Sequence, residues 1–181
     1  MTDKADIEII RECLNGNAGA YEMLIDRYQK PIFNAAIRIT GDYSDAQDVA
    51  QNVFIKAYQN LKAYNPEYKF FSWIYKMTVN ESINLLRQQN RLAEPFQVPG
   101  ACPPTPETDY HSNQADRKID EALMEINLDQ RIVIVLRYFL NLSHRDMSQM
   151  LEVPEKTIKS RLYTARENLR CALSKRGLEQ L

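Results

Sequence analysis

The sequence predicts an all-α protein of two small helical domains joined by a flexible, proline-rich linker. Three observations predict it. Apolar residues recur at steps of three and four through most of the chain, the spacing of one face of a helix. Glycine is rare, five in 181 residues, so the few breaks separate long helical patterns. Residues 92–116 hold five prolines, no cation and no apolar period, the composition of an extended tether rather than of a folded unit. The domains are therefore expected at 1–91 and 117–181, with the linker at 92–116.

Taken in order, Asp6 to Leu14 forms a first helix that ends near Asn15-Gly16-Asn17. Ala18 to Thr40 forms a second. Its apolar side carries Tyr21, Leu24, Ile25, Tyr28, Ile32, Ala35, Ala36 and Ile39, and Pro31 is expected to bend or split it. Gly41 stops it. Ser44 and Gln47 have capping-box spacing at the start of a third helix. There Ala46, Val49, Ala50, Val53, Phe54 and Ala57 face inward, leaving Asp45, Asp48, Gln51, Asn52 and Lys56 outside.

A loop at Asn65-Pro66-Glu67-Tyr68-Lys69 precedes a helix from about Phe70 to Arg91. Trp73, Lys76, Asn80, Asn84, Arg87 and Arg91 fall on one stripe of it. Amides and cations read base edges and phosphates, and an aromatic can stack on an unpaired base. Trp73 has a second reading, as an ordinary core residue, because tryptophan is mostly buried in folded proteins.

Beyond the linker, Arg117 to Ile126 and Asp129 to Leu140 read as helices, and Asn141 tolerates the left-handed conformation that ends the second. Leu142 to Arg170 then reads as two short helices joined by a tight turn. Ser143 and Asp146 form a capping box, and Pro154 suits the start of the next helix. Ile158, Leu162, Ala165 and Leu169 line one face of that helix. Lys156, Lys159, Ser160, Arg161, Tyr163 and Arg166 occupy the other. Between Lys156 and Arg176 seven cations face one acid, Glu167. A solvated hairpin usually mixes charge signs, so this is the pattern of a DNA-binding helix-turn-helix.

Charge and composition narrow the function further. The formal net charge of −1 hides a split: residues 117–181 hold 12 basic and nine acidic side chains, whereas 92–116 hold four acids alone. Cys13, Cys102 and Cys171 are scattered without metal-ligand spacing, which fits a reducing cytosol. No metal site and no cofactor are expected. The start, MTDKADIEII, has acids where a secretory leader needs cations. The longest aliphatic run, Ile132 to Leu136, is too short for membrane insertion. No nucleotide-binding or hydrolase motif is present, so an enzyme is not expected.

At this point the chain resembles the extracytoplasmic-function (ECF) sigma factors of bacterial RNA polymerase, over roughly Ala20 to Arg91 and Ala122 to Leu173. Asp45 to Phe54, DAQDVAQNVF, looks like the family's acidic helix that docks on the clamp helices of the large polymerase subunit. Phe70 to Asn80, FFSWIYKMTVN, looks like its promoter-melting and −10 reading helix. Leu142 through Arg166 looks like its −35 reading helix-turn-helix.

The resemblance implies a promoter-specificity subunit that binds core RNA polymerase and promoter DNA and is commonly held by an anti-sigma factor. Asp45, Asp48, Gln51 and Asn52 would meet the core enzyme. Trp73, Lys76, Asn80, Asn84, Arg87 and Arg91 would serve the −10 element. Lys159, Ser160, Tyr163 and Arg166 would face the −35 major groove, with Lys156 and Arg161 nearer phosphates. The chain departs from the pattern at Glu152 and Lys156, where the family favours Gly, at Thr164 for Arg, at Asn52 for an acid and at Asn127 for Pro. A free-standing regulator using only the helix-turn-helix is the rival reading, and it leaves the Trp73–Arg91 stripe without a role. The linker would also let the domains fold back on each other without polymerase, hiding Lys159 and Arg166.

Overall fold

The computed structural model describes residues 2–89 and 114–178, and these are helical with no strand among them. The first half contains α1 (Thr2–Leu14), α2 (Ala20–Thr40), α3 (Tyr43–Gln59), a 3-10 turn (Leu61–Ala63) and α4 (Phe70–Gln88). The second contains α5 (Gln114–Glu125), α6 (Leu128–Ile134) with a π-helical continuation (Val135–Phe139), α7 (His144–Leu151) and α8 (Glu155–Ser174). Most of the expected linker and Arg91 lie outside the described residues. Its last three positions do not: α5 begins at Gln114, so the helix extends into the stretch read as linker.

Amphipathic spacing builds the first half. Leu24, Ile32, Ala36 and Ile39 of α2 are buried against Ala46, Val49 and Val53 of α3 and Ile74, Tyr75 and Val79 of α4. Pro31 neither splits nor ends α2. It removes one backbone donor, and burial of Tyr28, Ile32 and Ala35 on both sides of it keeps the helix continuous. Gly41 ends α2 in the left-handed conformation at φ 78°. The cap of α3 differs from expectation: Asp42, not Ser44, is the N-cap, and its carboxylate accepts the Asp45 backbone N–H at 3.0 Å. Asp is as good a cap as Ser, and it stands next to the glycine that ends α2.

In the second half Leu123, Ile134, Leu136, Met147, Ile158 and Leu162 are fully buried. Asn127 caps α6 through the Gln130 N–H. Ser143 and Asp146 form the expected reciprocal capping box on α7. Asn141 and Glu152 are the two non-glycine residues with positive φ among the described residues, at 52° and 57°. The latter costs on the order of 1 kcal/mol relative to glycine.

The apolar core runs continuously from one half into the other. α2 packs on α5, α6 and the π-helical turn, and α4 packs on α7. Polar contacts accompany this packing. Arg38 of α2 donates from Nε to Asp120 at 3.2 Å and stacks its guanidinium over the Phe139 ring at 3.9 Å.

Candidate nucleic-acid interface

The stripe on α4 is built from its buried side outward. Ile74, Tyr75, Thr78, Val79, Ser82 and Leu86 fill the interior, and the remaining positions must point away from it. Asn80, Asn84 and Arg87 are exposed, and Lys76 is half-buried. Trp73 is also half-buried. Its ring packs on Tyr64 and Phe70, with ring centroids at 5.3 and 5.6 Å. Trp73 is thus packed on its neighbours without being fully buried. The loop before it is pinned: the Tyr64 hydroxyl donates to the Tyr68 carbonyl at 2.5 Å. That bond fixes the end of the loop to Tyr64, whose ring packs on the tryptophan.

The outer face of α3 differs in one residue from its expected form. Asp48, Gln51 and Asn52 are exposed, and Ile55 joins them one turn on. Asp45 is buried, 7% exposed, and accepts a hydrogen bond from Gln89 Nε2 at 3.0 Å. A carboxylate in the first turn of a helix meets unpaired backbone N–H groups and the positive end of the helix dipole, so it turns inward when an amide donor stands across from it. The Lys56 ammonium donates to Glu81 of α4 at 2.6 Å, tying the two helices together.

On α8 the basic face is open. Lys156, Lys159, Ser160 and Tyr163 are exposed, the last at 70%. Arg161 and Arg166 are also on this side, but the protein itself engages each. Arg161 pairs with Asp129 of α6 at 2.9 Å. Arg166 donates from Nε to the Tyr138 hydroxyl at 2.5 Å, with its guanidinium 5.6 Å from that ring's centroid. Arg166 lies 11 residues into α8, three turns from the end that an inserted recognition helix leads with.

The halves do pack together, yet Lys159 and Arg166 remain exposed, so the expectation that folding back hides them is wrong. The first half is met by α5, α6, the π-helical turn and α7. What the packing engages is Lys76, whose ammonium donates to Glu152 at 2.7 Å. That bond holds the Glu152 carboxyl below the usual carboxylate range. The spacing of the sequence does not mark Tyr138, Asp129 and Glu152 as partners of the three cations. Only Glu152 carried a signal, an acid at a left-handed position.

No helix among the described residues is long and apolar enough to cross a membrane. Comparison with known proteins agrees with the two-part reading. The Sigma-70 region 2 family matches residues 24–92, and the Sigma-70 region 4 family matches residues 116–169. The RNA polymerase sigma-H factor of Pseudomonas aeruginosa is 28% identical over 185 residues, covering 96% of each chain. The ECF RNA polymerase sigma-E factor of Haemophilus influenzae is 29% identical over 179 residues, covering 92% of this chain and 93% of that one.

Among solved structures, RpoE of Bartonella quintana in complex with the anti-sigma factor NepR aligns with a TM-score of 0.72 at 22% identity, over 85% of this chain and 96% of that one. CnrH in complex with the cytosolic domain of CnrY aligns at 0.69 and 21%, over 94% and 98%. Both share the fold. With both sigma regions present in order, and with relatives of the same kind matched end to end, this chain belongs to the ECF sigma factors and directs RNA polymerase to promoters for transcription initiation.

Proposed function

We propose that three surfaces divide the work of promoter recognition. Asp48, Gln51 and Asn52 on α3, with Asp45 supporting the helix from inside, dock on core polymerase. The α4 stripe of Trp73, Lys76, Asn80, Asn84 and Arg87, continued by Arg91, takes the −10 strand as it unpairs. Lys159, Ser160, Tyr163 and Arg166 on α8 face the −35 major groove, with Lys156 and Arg161 near its phosphates. The observation that carries this reading is one chain exposing polar faces on two separate helices, α4 and α8. α4 adds a half-buried tryptophan beside amides that suit single strands, and α8 has cations that suit a duplex.

The protein works without catalysis or cofactor of its own and acts in the cytoplasm, where polymerase and chromosome are. An anti-sigma factor is a further partner. It is supported by the Bartonella quintana sigma factor, solved with its anti-sigma factor NepR, whose fold this chain shares.

The experiment is transcription with purified core polymerase on a matched pair of templates, one fully duplex and one with the −10 region already unpaired. Trp73→Ala is expected to bind duplex promoter normally but to open it slowly, with activity restored on the unpaired template. If that template restores nothing and the variant's thermal unfolding is unchanged, Trp73 has no part in strand separation.

A further inference from the structure

Glu152 stands in the turn between α7 and α8 with φ 57° and ψ 37°. Glycine is the residue such a turn favours, because a β-carbon is crowded there. A glutamate at this position gives up local stability and brings a carboxylate instead. That carboxylate reaches across 76 residues of sequence to the Lys76 ammonium, at 2.7 Å. Lys76 belongs to the α4 stripe. A carboxylate offers an ammonium what a nucleic-acid phosphate offers it, a unit negative charge on paired oxygens.

The surrounding contacts keep the two groups together. The Arg131 guanidinium donates to the Ile39 carbonyl at 2.7 Å, and Arg38 pairs with Asp120. Both hold the second half on the first while α7 lies on α4. The Lys76–Glu152 pair itself is open to water, with side chains 39% and 76% exposed. An exposed pair is weak and readily exchanged, which suits a contact that has to be given up.

We propose that Glu152 is a built-in competitor for promoter phosphate. In the free protein it occupies Lys76 and lowers affinity for the −10 strand, and it is displaced when the two halves part on the polymerase. The inference rests on the reading of Lys76 as a −10 strand contact.

The test measures binding of a fluorescein-labelled oligothymidylate to the full-length protein, free and as holoenzyme. Free Glu152→Gln and Glu152→Gly are each expected to bind roughly two- to fivefold tighter than wild type. Both gains should vanish in a Lys76→Gln background and in the holoenzyme. If Glu152→Gln binds like wild type while Lys76→Gln weakens the holoenzyme, the competitor role is overturned and the −10 reading of Lys76 stands. If Lys76→Gln leaves the holoenzyme's binding unchanged, the −10 reading itself is wrong. A gain that survives in the Lys76→Gln background or in the holoenzyme would show simple repulsion of DNA by Glu152, and it overturns the proposal. So would a gain seen with Glu152→Gly alone, which would trace to relief of the strained turn.

Discussion

Arg131 of α6 donates to the carbonyl of Ile39, the penultimate residue of α2, at 2.7 Å. The same guanidinium donates to the carbonyls of Leu123, Met124 and Ile126 around the end of α5. One side chain thus satisfies carbonyls at the C-terminal ends of two helices, one from each half, where intrahelical donors have run out. Arg131 is 5% exposed, and burial lowers its pKa to about 10, still far above neutrality.

Arg131→Met is expected to destabilise the protein by on the order of 3 kcal/mol, because buried carbonyls on both helices lose their donor. Arg131→Lys should recover part of the loss, since an ammonium keeps the charge but not the planar fork of donors. Urea denaturation of the full-length chain measures both. Equal midpoints for Arg131→Met and wild type would mean that water replaces the guanidinium at no cost.

Asp45 and Asp48 should separate by function. Asp48→Lys places a cation on the exposed outer face of α3 and is expected to weaken core polymerase binding with little change in stability. Asp45→Ala removes the acceptor of Gln89 from a buried site and should cost about 1 kcal/mol of stability. A core-binding titration paired with thermal unfolding reads the two effects. If Asp48→Lys binds core polymerase as wild type does, the outer face of α3 is not in that interface.

On α8, Lys156→Ala should weaken binding to every promoter alike and reduce the salt slope by about one, as loss of a phosphate contact does. Arg166→Ala should instead alter preference at one base pair by about 1–3 kcal/mol. Holoenzyme binding to a set of single-base −35 variants, at several salt concentrations, distinguishes them. Uniform weakening by Arg166→Ala would move that residue, already held by Tyr138, out of base reading.

Acid should loosen the junction of α5 and α8. Arg176 donates to Glu125 at 2.6 Å, and this bond holds the Glu125 carboxyl below its ordinary value of 4.5. The unfolded chain then binds the proton more readily than the folded one. The pair's contribution is therefore full at neutral pH and is lost as pH falls below about 4.5. Glu125→Gln should flatten the acid limb of the stability curve there and change little at pH 7 beyond a constant offset. An unchanged acid limb would mean that the pair contributes nothing net, as exposed pairs often do.

The helices, their inward faces and the order of the two polar surfaces can be read from the amino-acid order alone. The reason is local: burial of an apolar stripe needs only spacing along one chain, and the residues that end helices act within a few positions. Gly41, Asn141 and the Ser143–Asp146 box were therefore legible, as was the stripe from Trp73 to Arg87. The competition between caps was less so, because Asp42 and Ser44 are both able N-caps and the end of α2 decides between them.

Which charged groups are free to meet a partner is set instead by how the helices pack. Asp45 turns in to Gln89, Arg161 to Asp129, Arg166 to Tyr138 and Lys76 to Glu152. All four partners lie 28 or more residues away in the chain, on other helices or just beyond the end of one. No periodicity links such positions. A charge's availability depends on what the fold brings within about 4 Å of it, and that is a property of packing rather than of pattern.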